Sequence, residues 1–334
     1  MTRRPPTMED VAEAAGVSRA LVSLVMRQSP KVSAQRREAV LAAADRLGYR
    51  PNVLARNLAS RRTRTVGFII DDLHNPYHAD VAAGAEEIAA AEGYRILINT
   101  GWRQADAEQR AVETMLEFRT DGIILAGPRL DEEHMVSAGR LVPIVAVGRA
   151  VESDGVDTVN NDEIAGARLA VEHLVELGHR EIVHFDGGQG AGAATRRFGY
   201  EQAMTAAGLA DQIKVVEGNF TEISGVAAAE EVLRWNHRPT AVFAANDLMA
   251  AGALDTFEEA GWLVPDDLSI VGYDNTALAA MQHMSLSTIN QPRHMMGRLA
   301  MEALLERLDD TRTEARHEVL TPELVPRKTS GPAR

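Results

Sequence analysis

TMEDVAEAAGVSRALVSLVMRQSPKVSAQRREAVLAAADRLGYRPNVLARNLAS, residues 7–60, is the stretch on which the reading of the whole chain turns. Thr7 is placed to cap a first helix with its hydroxyl, with Asp10 where the reciprocal capping partner belongs, and Met8, Val11, Ala12 and Ala15 fall on one apolar face. Gly16 ends that helix because it accepts the left-handed backbone of a tight turn. Ser18 then caps a second helix to about Met26, with Val17, Leu21, Val22 and Val25 facing inward. Two short helices around a glycine turn, followed by a third helix and a short fourth one, describe a helix-turn-helix unit.

In such a unit the second helix enters the major groove and its N-terminal residues lie nearest the base edges. The candidate readers are therefore Ser18, Arg19, Ala20, Ser23 and Leu24. Arg19 carries the most information, since a guanidinium bonds guanine bidentately and discriminates by roughly 1–3 kcal/mol. Charge points the same way. Residues 1–64 carry 13 Lys and Arg against 5 Asp and Glu, a net of +8, whereas the whole chain is at −13, leaving −21 for the remainder. One end suits phosphate and the rest would be repelled by it.

A chain of 334 residues, 45% of them hydrophobic, buries a sizeable core and is long enough for two or three domains. Without cysteine it forms neither disulfides nor thiolate metal sites. No apolar segment precedes Thr7 and no run approaches a membrane span, so the expected location is the cytoplasm. The basic stretch SRRTRT, residues 60–65, marks a domain boundary. Beyond it strands and helices alternate in two blocks. Strands at 65–71, 94–100, 122–127 and 143–148 form the first, and strands at 181–186, 213–218, 240–246 and 268–274 form the second. Strands separated by amphipathic helices imply parallel sheets, and two blocks imply two lobes, with a last helix at 295–308 returning to the first lobe.

Ligands of open parallel sheets gather at the carboxyl ends of strands, and two facing lobes place those ends across a cleft. That rule selects Asn75, Pro76, Tyr77 and His78, then Trp102, the glycine-rich GGQGAGAATRR at 187–197, Asn219 and Phe220, Asn246 and Asp247, and Asp274 and Asn275. Aromatic rings beside carboxylates, amides and an arginine suit a small polar ligand of sugar or nucleoside type.

The strings DVAEAAGVS, LGYRPN, ARNLAS and RTRTVG, in that order, and later AANDLMAAGA and SIVGYDN, resemble the lactose-repressor/galactose-repressor (LacI/GalR) family over nearly the whole chain. The resemblance implies an all-α helix-turn-helix domain with a hinge helix at about 52–59 (domain 1–62), and a two-lobed α/β domain of parallel, Rossmann-like sheets, similar to periplasmic binding proteins (63–334). It implies that Leu58 wedges into the minor groove with Ala55 beside it, which agrees with the physics of an inserted apolar side chain kinking the duplex. Asn52 would cap that hinge helix, which is too short to be stable alone in water and would fold on DNA. It also implies effector contacts at Tyr77, His78, Arg196, Phe220, Asn246 and Asp274. Leu24 replaces the family's usual base-reading arginine and Arg27 its usual asparagine, so Arg27 becomes a phosphate contact and the half-site cannot be copied from relatives. His78, Ala194 and the pair Asn161-Asp162 also depart from the common pattern.

Two rival readings have some support. Gly188 to Ala193 fits the G-x-G-x-x-A form of a dinucleotide fingerprint, which raises an NAD-dependent oxidoreductase, but the next strand ends at Glu217, further along than the roughly 20 residues expected for the ribose acid. A soluble sugar-binding protein would share the cleft, but not the basic N-terminal segment. His74 and His78 are separated by Pro76 and do not share a helical face for a metal, and His173, His179 and His184 read as structural. The expectation is a non-enzymatic, cofactor-free transcriptional repressor that binds palindromic double-stranded DNA as a homodimer and answers a small polar effector, with no membrane contact.

Overall fold

The computed structural model describes Arg4 and residues 6–26, 29–50 and 62–334. Arg27, Asn52, Ala55, Leu58 and the hinge stretch lie outside the described residues. The chain divides into two compact units, residues 1–63 and 64–334.

In the first unit α1 (Met8–Ala15) opens with a reciprocal cap: the Asp10 amide donates to the Thr7 hydroxyl, and the Thr7 amide donates to the Asp10 carboxylate at 2.7 Å. Gly16, at φ 66°, turns the chain into α2 (Arg19–Met26), and the Leu21 amide donates to the Ser18 hydroxyl at 3.2 Å. α3 (Ala34–Leu47) closes the unit and ends at Gly48. Val11, Ala12, Val22, Val25, Val40, Ala43 and Tyr49 form the core, with Val17 and Leu21 partly buried against it.

The second unit holds two six-stranded sheets. The first lobe contains β1 (Thr65–Ile70), β2 (Arg95–Thr100), β3 (Gly122–Ala126), β4 (Ile144–Val147), β5 (Val156–Asn161) and β11 (His317–Leu320), ordered β11-β5-β4-β3-β1-β2 and parallel throughout. The second contains β6 (Ile182–Phe185), β7 (Lys214–Val216), β8 (Ala241–Ala244), β9 (Ser269–Asp274), β10 (Ser287–Asn290) and β12 (Glu323–Val325), ordered β12-β10-β9-β8-β6-β7, with β12 antiparallel. Both lobes thus reverse winding direction beside their first strand, which opens a crevice at its carboxyl end.

The helices are α4 (Pro76–Ala91), α5 (Ala105–Glu117), α6 (Glu132–Gly139), α7 (Glu163–Glu176), α8 (Ala193–Ala206), α9 (Glu222–Leu233), α10 (Asp247–Glu259) and α11 (Arg293–Leu308). The chain passes between lobes three times, after β5, after β10 and after β11. α11 returns as expected: Met296, Ala300, Met301 and Leu304 share a core with Phe68, Val81, Ile124 and Val145 of the first lobe. It crosses α4 at glycines, because a Cβ on Gly84 would fall inside the His294 carbonyl and one on Gly297 inside that of Val81.

Candidate functional site

The second helix presents an outward face. Ser18, Arg19 and Ala20 are exposed, Leu24 is 39% exposed despite being apolar, and Ser23 is half-buried. Arg19 pairs with Glu9 at 3.0 Å, but both side chains are more than 60% exposed, so the pair is weak and the guanidinium is free to exchange it for another acceptor.

In the second unit a cleft between the lobes is lined by Asp71, Asp72, Asn75, Tyr77, His78, Arg103, Gly127, Gly148, Glu163, Ala191, Arg196, Phe220, Asp274 and Gln291, and offers about 550 Å³ of empty space, its mouth included. Five of the six effector contacts implied by the resemblance meet here, Tyr77, His78, Arg196, Phe220 and Asp274, with Asn75, also selected by its place at a strand end, beside them.

Arg196, on the first turn of α8, is buried and organises the second lobe's wall. Its Nε and Nη2 donate to Glu163 Oε2 at 2.9 and 2.6 Å, its Nη1 donates to the Ala245 carbonyl, and its guanidinium stacks on the Tyr273 ring with 3.5 Å to the centroid. Phe220, at φ 65°, lays its ring on the glycine-rich loop, where a Cβ on Gly187 or Gly190 would collide with it. Those glycines are therefore required by an aromatic wall and not by a pyrophosphate.

Asp274 ends β9 at φ 108°, a costly backbone for a non-glycine residue. Gln291 Nε2 donates to its Oδ1 at 2.6 Å. Burial, with the nearby Asp247 carboxylate, pushes the Asp274 carboxyl well above the usual range. The folded protein then holds a proton that the unfolded chain has released, so stability is lost as pH climbs from the ordinary carboxylate value through the raised one. Asp274→Asn cannot ionise, and its amide oxygen still accepts from Gln291. It is expected to match the parent near pH ~4 and to exceed it near pH ~8 by on the order of 1 kcal/mol in urea unfolding; the same stability difference at both pH values would refute the account.

On the first lobe His78 is buried, with Nδ1 unpartnered among the described residues, and burial lowers its pKa to about 4, so the imidazole is neutral. Its ring fits because a Cβ on Gly127 would stand 2.9 Å from its Cε1. Asp71 pairs with Arg129 Nε at 2.8 Å. Burial also raises the Tyr77 phenol, which stays protonated.

Trp102 and Asn246 do not line the cleft. Trp102 is 56% exposed at φ 50°, and the same turn aims its neighbour Arg103 inward instead. Asn246 caps α10 by accepting from the Met249 amide at 2.9 Å, while its Nδ2 donates to the Phe220 carbonyl at 3.0 Å, so it positions Phe220 from behind. Sequence reasoning missed Asp71, Asp72, Arg103, Glu163 and Gln291. Asp71 and Asp72 follow β1 directly and were findable by the same strand-end rule. Glu163 and Gln291 sit at lobe crossings that strand periodicity did not reveal.

The model for bacterial regulatory proteins of the lacI family matches residues 7–52, and that for a periplasmic binding protein-like domain matches residues 171–330. Catabolite control protein A of Priestia megaterium is 37% identical over 89% of this chain and 91% of its own. Among solved structures, the Lac repressor dimer bound to operator and the anti-inducer ONPF superposes with a TM-score of 0.87 at 30% identity, covering 98% of this chain and 100% of that one. The transcriptional regulator CelR in complex with cellobiose superposes with a TM-score of 0.73 at 34% identity, over 97% of this chain and 99% of that one.

Proposed function

The chain belongs to the LacI family of bacterial regulatory proteins, and from that premise we propose that Ser18, Arg19, Ala20, Ser23 and Leu24 read the operator half-site while Tyr77, His78, Arg196, Phe220 and Asp274 hold a sugar-type effector. The protein is a DNA-binding transcriptional repressor and not an enzyme. It works as a homodimer, each α2 addressing one half of a palindrome. Among the described residues no helix is long and apolar enough to cross a membrane.

The observation that carries the DNA reading is the uncommitted outer face of α2, with Arg19 held only by an exposed pair. Arg27 as a phosphate contact, and the Leu58 wedge beside Ala55 in a hinge helix capped by Asn52, enter this proposal through the family resemblance alone. The proposed domain limits are 1–62 and 63–334. The effector class is supported by a cleft in which carboxylates, amides and a buried arginine surround aromatic rings. The CelR structure, named for its cellobiose, adds a relative with a sugar ligand. Signalling follows if the effector binds one lobe arrangement better than the other. Arg103 Nη2 donates across the cleft to the Asn219 carbonyl at 3.0 Å, a bond that lobe movement would break.

The test is a selection from random duplex DNA at near-physiological salt, followed by titration of the enriched site. A palindrome is expected, and Arg19→Ala should weaken its binding by about 5–150-fold and relax preference at one base position. Undiminished affinity for Arg19→Ala would remove it from the readers, and recovery of no preferred sequence would sink the operator reading.

A further inference from the structure

A second chamber opens off the effector cleft, sharing Arg103, Gly148, Glu163 and Ala191 with it and offering about 1320 Å³ of empty space, its opening included. It is also lined by Arg129, Arg149, Asn160, Asn161, Gln189 and the start of α8. We propose that this chamber binds an anionic group of the effector, so that the ligand is a sugar carrying a phosphate or a carboxylate. The proposal rests on the reading of the cleft as the effector site.

Glu163 is committed to Arg196 at 2.6 Å, and Arg129 to Asp71 at 2.8 Å. Two further guanidiniums face the chamber, and among the described residues each bonds only main-chain carbonyls. Arg103 donates to Asn219 at 3.0 Å, and Arg149 Nη1 donates to Pro128 at 3.2 Å and Leu130 at 2.7 Å. Carbonyl dipoles do not neutralise a unit charge, and the carboxylates that act on these guanidiniums from nearby, Asp71 and Asp72 on Arg103 and Glu108 and Asp131 on Arg149, lie outside the chamber wall, which leaves the chamber itself with two positive charges facing in. Glu108 lies beneath the same turn but does not line the chamber. It accepts from the amides of Arg129 and Leu130, and burial pushes its carboxyl up to about 7.

The second observation is the start of α8. Gly192, at φ 78°, begins this 14-residue helix with no side chain capping its amides, and Ala194 and Thr195 of its first turn line the chamber. Free N–H groups and the positive end of a helix dipole favour an anion. The third is Asn161, only 4% exposed, whose Nδ2 donates to the Tyr273 hydroxyl at 2.8 Å while its Oδ1 has no partner among the described residues. A buried free acceptor in the same chamber suits a hydroxyl on the ligand that brings the anion. The loop that mimics a dinucleotide fingerprint thus retains its phosphate-binding chemistry without a dinucleotide.

The experiment uses the full chain with inorganic phosphate as the first probe, against chloride at matched ionic strength, in thermal unfolding. At ~10 mM, phosphate should raise the midpoint for the parent and not for Arg149→Gln, with operator binding as the check that the variant is folded. The second probe is a matched set: glucose and galactose, their 6-phosphates, and the corresponding uronates, in calorimetric titration. A charged member should bind at least ~10-fold tighter than its neutral parent, and Arg149→Gln should erase that preference; which member gains distinguishes phosphate from carboxylate. Absence of phosphate protection, or protection that persists in Arg149→Gln, overturns the proposal. Neutral sugars binding as tightly as charged ones overturns it too and leaves the effector cleft standing. Arg149-dependent phosphate protection with no sugar bound would support the anion chamber and remove the sugar reading instead.

Discussion

Arg196→Ala is expected to destabilise the second unit by about 3–5 kcal/mol and to abolish effector binding together. The reason is what it leaves behind. Glu163, whose side chain is 10% exposed, would lose its arginine while remaining at the lobe crossing, and the Tyr273 ring would lose the guanidinium stacked on it. Urea unfolding followed by circular dichroism measures the first effect. The double variant Arg196→Ala/Glu163→Ala separates it from simple cavity formation, because removing the stranded charge should restore much of the loss. If the double variant is no more stable than the single one, Glu163 is not the source of the cost. Operator binding by the first unit should survive wherever the protein folds.

Gly297→Val is expected to cost about 3 kcal/mol or more and to loosen α11 from α4. The two helices cross so closely that any side-chain atom at Gly297 or Gly84 occupies the position of a main-chain carbonyl on the partner, and a carbonyl in a helix cannot rotate away. The helices must separate. Separation uncovers Met296, Ala300 and Met301, which lie fully buried in the first lobe. Because α11 arrives directly from β10 of the second lobe, the substitution should also disturb the cleft, weakening effector affinity as well as lowering the unfolding midpoint. A variant with parental stability would show that the crossing has slack.

The elements that could be read in advance were those whose burial is apolar. β1, β3, β4, β6, β8 and β9 announce themselves as short runs of apolar residues, and α1 and α2 by capping and by a glycine between them. β5 and β10 were missed because most of their buried residues are polar. Asp157 in β5 is 1% exposed but held by Arg312 at 2.7 Å, an arginine about 150 positions away in sequence that no local pattern reveals. In β10, Ser287 and Thr288 are fully buried because the Ser287 hydroxyl bonds the Ser330 hydroxyl and accepts from the Arg327 amide, while the Thr288 hydroxyl donates to Asp247. The same blindness hid Glu163 and Gln291, which enter the cleft from the crossings that follow those two strands. Tyr77, His78, Phe220 and Asp274 were legible because the end of a recognisable strand fixes the rim of the cleft. Trp102 obeyed that rule by position but not by direction, since a left-handed turn at 102–103 exchanged it for Arg103.

Both sheets are completed by strands that lie far along the chain, β11 on one lobe and β12 on the other. During synthesis the N-terminal unit can therefore fold well before either half of its controller is finished, since domains form as units in order of emergence. For that interval a nascent chain carries a half-site reader whose effector-binding lobes are not yet complete. The two final strands, a few residues apart, end that interval for both lobes almost simultaneously.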